Sequence, residues 1–286
     1  MIVKELYASA VNRLQEAGIP DAGLEVDFML ECLLSFNRAQ LITSGEQAVS
    51  PEVIEILEAF LARRLAREPL AYILGEQEFW SLPFYVTSDV LIPRPETEYL
   101  IETVLQNIGR ADNYQGQVLE LGTGSGIIAV ILALELPAAK VFSVDFSRAA
   151  LVIARSNVYR HRVEERVRLI NASWLDSFSP EAKFDLIVSN PPYVGLREKN
   201  GLQPELSFEP ELALFGGERG EEILLELAPR FKDALKPGGM IFLEIGADQG
   251  DYVLDIFRSL HDYDKLHVYS DYSGHPRVFQ ARLKSL

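Results

Sequence analysis

The sequence predicts a doubly wound α/β sheet preceded by a smaller helical N-terminal domain, the two joined by a β-hairpin linker. Three observations carry this reading. From about residue 117, short apolar and β-branched runs alternate with helical segments, the pattern of parallel strands joined by crossover helices. The first of those runs passes through a glycine-rich turn directly into a helix. Residues 1–75 instead place their apolar side chains at helical spacing.

The elements follow in order. Val3, Leu6, Ala10, Val11, Leu14 and Ala17 recur at helical spacing, and Gly18-Ile19-Pro20 stops the pattern. A second helix follows Asp21 in LEVDFMLECLLSF. Pro51 opens a third, PEVIEILEAFLARRLA, because a first-turn proline lacks only an N–H that has no helical partner anyway. The stretch EQEFWSLPFYVTSDVLIP (76–93) is rich in aromatic and β-branched residues with a proline in its middle, which predicts a hairpin linker. RPETEYLIETVLQNI then predicts a helix. Strands are expected at 117–121, 140–145, 167–171, 184–190 and 240–246, with helices around 126–136, 147–162 and 219–235. A helix near 249–260 precedes KLHVYSDY and RVFQARL, which read as an antiparallel hairpin at one edge and bring the sheet to seven strands. The domains are thus expected at 1–75 and 94–286, with the linker at 76–93.

Composition narrows the function classes. With 48% hydrophobic and 24% charged residues, the chain has the make-up of a soluble globular protein. Its longest apolar runs, such as GIIAVILALEL (126–136), fall short of the roughly 20 residues that span a bilayer. The N-terminus is amphipathic and mixed in charge, unlike a signal peptide. A cytoplasmic protein without membrane contact is expected. Cys32 alone cannot form an internal disulfide framework, and four histidines without a Cys/His cluster give no metal site. The formal net charge of −15 disfavours direct nucleic-acid binding, which rests on basic patches, and suits a basic protein partner.

The chemistry-bearing residues cluster at strand ends. Glu120-Leu121-Gly122-Thr123-Gly124-Ser125-Gly126 follows the first strand, and glycines there let a ligand approach backbone N–H groups. The spacing is G-x-G-x-G, with Ile127 where a dinucleotide fingerprint has its third glycine, and a tight structural turn would use the same residues. Asp145 ends the second strand about 20 residues on, where a carboxylate can accept ribose hydroxyls or cap the helix beginning at Ser147. Trp174, after the third strand, could stack on a flat heterocycle or fill core. The fourth strand runs into Asn190-Pro191-Pro192-Tyr193. Two prolines end any strand and fix the backbone, so a carbonyl can be held in one place, while Asn190 adds a side-chain acceptor and Tyr193 a flat face. Such a corner suits a planar nitrogen bearing N–H groups, whose lone pair two acceptors would orient for attack. A Pro-Pro turn with a capping Asn is the structural alternative.

ELGTGSG, VDFS and SNPPY, in this order, resemble the class I S-adenosylmethionine-dependent methyltransferases that modify planar nitrogens. PLAYILGEQEFWSLPFYVTSDVLIPRPETEYLIE (69–102), FEP (208–210), LALFGGERG (212–220), PGGMIFLEIGADQG (237–250) and DYSGHPRV (271–278) are similar to the HemK-type release factor glutamine methyltransferases. The resemblance implies a Rossmann-like methyltransferase sheet and methylation of the N5 amide of the glutamine in the Gly-Gly-Gln motif of bacterial peptide chain release factors. It also implies a cofactor, S-adenosylmethionine, released as S-adenosylhomocysteine. Carried over by motif, Glu120, Leu121, Gly122, Thr123, Gly124, Asp145, Trp174 and Asn190 would bind the cofactor. Asn190, Pro191 and Tyr193 would act on the target glutamine, held by Asn190 to Tyr193, with Arg94, Pro95 and Glu96 lining the cleft or fixing the linker. The N-terminal helices would recognise the release factor, and a monomer is expected for so transient a partner.

Rival readings keep part of this pattern. A glutamine methyltransferase of a ribosomal protein shares the chemistry. An adenine-N6 or guanine-N2 methyltransferase would need base flipping and phosphate contacts, which the acidic charge opposes. An NAD-dependent dehydrogenase lacks its third glycine at Ile127, and a mere binding module has no use for the Asn-Pro-Pro-Tyr corner.

Overall fold

The structure, a computed structural model, describes residues 1–109, 111–179, 181 and 183–285. It divides into two compact units, Met1–Glu76 with Pro204–Phe208, and Gln77–Gln203 with Glu209–Leu286.

The first unit is helical: α1 (Val3–Glu16), α2 (Ala22–Leu34), α3 (Arg38–Thr43), α4 (Pro51–Leu65) and α5 (Leu70–Leu74). Leu14, Val26, Met29, Leu30 and Leu57 are fully buried in its core. Gly18 ends α1 with φ of +66°, a conformation glycine adopts without steric cost. Ser50 accepts the Val53 N–H at the start of α4. The two short helices α3 and α5 lie outside the sequence expectation, since neither is long enough to show a period. α3 is fixed instead by a reciprocal cap, in which Gln40 N–H donates to Asn37 Oδ1 and Asn37 N–H to Gln40 Oε1.

The chain passes from the first unit into the second along β1 (Glu76–Phe79), which pairs with β2 (Leu82–Tyr85) through a turn at Trp80-Ser81 with φ of +55° and +56°. Positive φ at both turn residues matches the twist of a two-residue hairpin. The paired strands are shorter than the 76–93 stretch that predicted them. Beyond β2 the chain turns at Thr87, whose carbonyl accepts the Val90 N–H, and runs irregularly to α6 (Pro95–Asn107).

There follow β3 (Gln117–Leu121), α7 (Ile127–Glu135), β4 (Lys140–Asp145), α8 (Arg148–Arg160), β5 (Val167–Asn171) and β6 (Phe184–Ser189). Next come α9 (Glu211–Leu214), α10 (Glu222–Leu227), α11 (Phe231–Ala234), β7 (Leu235–Glu244), α12 (Gly250–Leu260), β8 (Tyr263–Ser270) and β9 (Pro276–Leu283). The segment expected as one helix over 219–235 is two, because Pro229 falls between them and cannot continue the hydrogen-bond ladder. The 3₁₀ turns Leu196–Gly201 and Pro204–Phe208, together with α9, fill a stretch the sequence left without structure.

Strands β3 to β9 form one seven-stranded sheet in the order β5-β4-β3-β6-β7-β9-β8, parallel except for β9. The expected terminal hairpin sits at its edge. Apolar side chains cover both faces, Val118, Val130, Ile131 and Leu100 on one, and Leu119, Ile187, Ile241, Phe231 and Phe257 on the other. α7 is buried nearly all round, which its unbroken run of Ile, Ala, Val and Leu requires. With β4 on one side of β3 and β6 on the other, the strand order reverses at β3, and the loops after β3 and β6 diverge there. That reversal opens a crevice at the carboxyl ends of the strands. Among the described residues, no helix is long and apolar enough to cross a membrane.

Candidate active site

The crevice holds a cavity of about 310 Å³, bounded by the glycine loop, the end of β4, the Ala172–Trp174 turn, Asn190 and residues 210–215. The loop after β3 is tied down by its backbone, with the N–H groups of Gly122 and Thr123 both donating to Val144 O at 2.9 and 3.1 Å. Gly122, Gly124 and Gly126 have φ of +83°, +54° and +85°, so each needs the left-handed region. Gly124 has only open space where a Cβ would stand. Gly126 has the opposite constraint, for a Cβ there would lie 3.1 Å from the Ala154 Cβ of α8. It does the helix-packing work of a dinucleotide fingerprint's last glycine, one residue earlier.

Asp145 clasps both the glycine loop and the start of α8. Ser147 is itself the α8 cap, its hydroxyl accepting the Ala150 N–H at 3.1 Å. Asp145 Oδ2 accepts the Gly124 N–H at 2.9 Å and Oδ1 the Ser147 N–H at 2.8 Å, and each oxygen keeps a lone pair for another donor. Burial raises its pKa, and those two N–H groups oppose the rise.

Glu120 is fully buried beneath the loop, opposite Ser143 in the β3–β4 register. Ser143 Oγ donates to Glu120 Oε2 at 2.5 Å and lies 2.6 Å from Thr123 Oγ1. Glu120 Oε1 has no hydrogen-bond partner among the described residues. Burial pushes this carboxyl up to about 8, with the Asp145 charge adding to the rise and Ser143 opposing it.

On the other side of the crevice, Asn190 Nδ2 donates to Thr97 Oγ1 at 3.1 Å. Thr97 in turn donates to Glu244 Oε2 at 2.8 Å, and the Tyr193 hydroxyl donates to Glu244 Oε1 at 3.1 Å. Burial holds the Tyr193 hydroxyl well above its usual range. The corner is packed against the following loop, since a Cβ on Gly216 would stand 2.3 Å from the Pro192 carbonyl oxygen. Gln249 Nε2 donates to Tyr193 O at 3.1 Å. The glycine loop and this corner are neighbours, a Cβ on Gly122 falling 3.7 Å from the Asn190 carbonyl oxygen.

The structure therefore brings Glu120, Gly122, Thr123, Gly124, Asp145 and Trp174 to one cavity, along with Asn190, Pro192 and Arg94. Trp174 lines the cavity and packs against core. Leu121 is different: it is wholly buried, with its carbonyl held by Ser189 Oγ. Pro191, Tyr193 and Glu96 are not among the residues that line the cavity, and Glu96 is exposed. Arg94 pairs with buried Glu209, whose other oxygen accepts the Ile92 N–H at 3.1 Å, so it also fastens the irregular segment before α6.

Thr97, Glu209 and Glu244 escaped the sequence reading. Glu244 did leave a signal, an acid inside the apolar run MIFLEIG, since a strand buries a carboxyl only where it finds donors. Thr97 left none.

Residues 5–75 match the family described as PrmC N-terminal domain, and residues 95–205 the one described as Methyltransferase small domain. A release factor glutamine methyltransferase of Koribacter versatilis is 42% identical over 283 residues, covering 99% of each chain. One from Moorella thermoacetica is 37% identical, covering 98% of each. Among solved structures, a methyltransferase from Pyrococcus furiosus shares the fold, with a TM-score of 0.54 and 22% identity over 79% of this chain and 98% of that one.

Proposed function

The chain belongs to the release factor glutamine methyltransferase family, and from that premise we propose how its crevice transfers a methyl group to a release-factor glutamine. The glycine loop, Glu120, Asp145 and Trp174 hold S-adenosylmethionine, and the Asn190 corner holds the side-chain amide. The observation that carries this is the anchoring of Asn190 by Nδ2, which leaves its carbonyl Oδ1 as an acceptor beside the loop.

The residues present fit the cofactor. Glu120 Oε1 is buried with no hydrogen-bond partner among the described residues, Asp145 has spare lone pairs, and Gly124 leaves open the space a side chain would fill. When bound, S-adenosylmethionine supplies an electrophilic methyl group carried on a sulfonium. Asn190 Oδ1 and a backbone carbonyl of the Pro191-Pro192 turn take the two amide hydrogens, which orients the nitrogen lone pair toward the methyl group. An amide nitrogen becomes acidic only as it gains the methyl group, so no basic side chain is needed beforehand. The prolines keep the acceptors in place at little entropic cost. The helical first unit serves to recognise the release factor away from the reacting loop.

The test mixes the protein with labelled S-adenosylmethionine and a purified bacterial release factor, with a Gly-Gly-Gln to Gly-Gly-Ala factor as control. Mass spectrometry is expected to find one added methyl on the glutamine of the loop peptide and none on the control. Label on ribosomal protein or nucleic acid, with an unmodified factor, would overturn the substrate while keeping the chemistry.

A further inference from the structure

We propose that Glu244 is a positioning residue: by accepting the Thr97 hydroxyl proton, it sets which end of the Asn190 amide faces the substrate. This rests on the reading of Asn190 as the acceptor for the target amide.

Glu244 ends β7 and is fully buried, as is Thr97 in the first turn of α6. A hydroxyl has one proton, and Thr97 gives its own to Glu244 Oε2 at 2.8 Å. Thr97 Oγ1 can then only accept, and the group within reach is Asn190, 3.1 Å away. Asn190 must therefore turn Nδ2 to Thr97 and keep Oδ1 for the cavity it lines. The second carboxylate oxygen holds the Tyr193 hydroxyl at 3.1 Å, tying the far end of the Asn-Pro-Pro-Tyr corner to the same acid.

A protonated Glu244 would reverse the relay. Its carboxyl could donate to Thr97, whose own proton would then go to Asn190. That favours Oδ1 toward Thr97 and leaves an NH₂ group facing the N–H groups of the substrate, donor against donor. Arg277 of β9 favours the ionised form of Glu244 and is itself paired with Asp271, while Glu96 of α6 opposes it. Burial outweighs these and raises the carboxyl to about 7, so the relay switches within the neutral range.

The test is single-turnover methyl transfer to a release factor at saturating S-adenosylmethionine between pH 5.5 and 9, with cofactor Kd measured separately by calorimetry. The wild-type rate is expected to fall about tenfold from pH 8 to pH 6, as the ionised fraction of a group near 7 does. Thr97→Val keeps the shape and removes the relay. It should lower the rate at least about tenfold, the scale of one lost hydrogen bond to the reacting group, with cofactor Kd unchanged. Thr97→Ser should restore both the rate and its pH profile. Glu244→Gln should flatten that profile, and the threonine variants decide the matter if it does not fold. A wild-type rate in Thr97→Val beside a slow Asn190→Ala would refute the positioning role alone. A wild-type rate in Asn190→Ala would refute the reading beneath it.

Discussion

Glu120 couples the stability of this fold to pH. Its carboxyl is fully buried, one oxygen has no donor among the described residues, and burial raises it to about 8. In the unfolded chain it would titrate near the ordinary glutamate value of 4.5. Between those two values the folded protein binds a proton that the unfolded chain does not. Stability therefore falls as pH rises through this window and levels off above it. At about 1.4 kcal/mol per pH unit, the loss reaches at most about 5 kcal/mol. Glu120→Gln is neutral throughout and nearly the same shape, so the variant should gain on the wild type as pH rises. A protein of this size shifts its Tm by somewhat under about 2 °C per kcal/mol, and about 3.5 kcal/mol of the loss falls between pH 5 and pH 8, so the difference between variant and wild type should widen by roughly 6 °C across that range. Differential scanning calorimetry across that range measures it directly, and each protein's other titrations cancel in the comparison. Parallel curves for the two proteins would mean that Glu120 is charged in the fold, and the argument from its missing donor would fail.

Asp145→Ala removes the clasp on the Gly124 N–H together with the acceptors proposed for the cofactor, and should weaken S-adenosylmethionine binding about 10- to 100-fold by calorimetry. An unchanged Kd would remove Asp145 from the cofactor site. Gly126→Ala forces a Cβ to 3.1 Å from Ala154 at a φ of +85°, and should lower stability by about 1–3 kcal/mol in urea denaturation. Arg64 is nearly inaccessible in the first unit, with Nε 2.7 Å from Glu25 and Nη1 3.1 Å from Glu205. Arg64→Ala strands Glu25 and leaves Glu205 with the Arg67 guanidinium at 3.4 Å, and should cost about 2–4 kcal/mol, so a urea midpoint equal to wild type would contradict the pairing.

Much of this was legible along the chain because it rests on period and punctuation. The parallel strands of the sheet are continuous apolar runs bounded by turn residues, and their register needs nothing beyond burial on both faces. The glycine loop and Asn190 corner are legible for the same reason, being local signals at strand ends. What the sequence hid depends on contacts far apart in the chain. The Thr97–Glu244 bond spans 147 residues, and that of Ile92 with Glu209 spans 117. No spacing rule joins such positions. Even locally, a proline can be read two ways, and Pro229 cuts a helix that the apolar pattern alone would have carried through.

The polarity of the cavity argues for one kind of ligand. Asp89, Glu120 and Asp145 line it, and the positive side chain among its lining residues is Arg94, already paired with Glu209. A dinucleotide would bring two phosphates against three carboxyls with no uncommitted cation to meet them, so the loop that looks half like a dinucleotide fingerprint has the wrong surroundings for one. A sulfonium meets the reverse. It draws the raised Glu120 carboxyl toward its charged form, against the burial that disfavours that charge in the free protein. Methyl transfer then moves that positive charge toward a nitrogen held by acceptors alone. The acidic lining thus favours both the cation that binds and the charge that develops beside Asn190, whereas a nucleophile activated by deprotonation would be opposed by it.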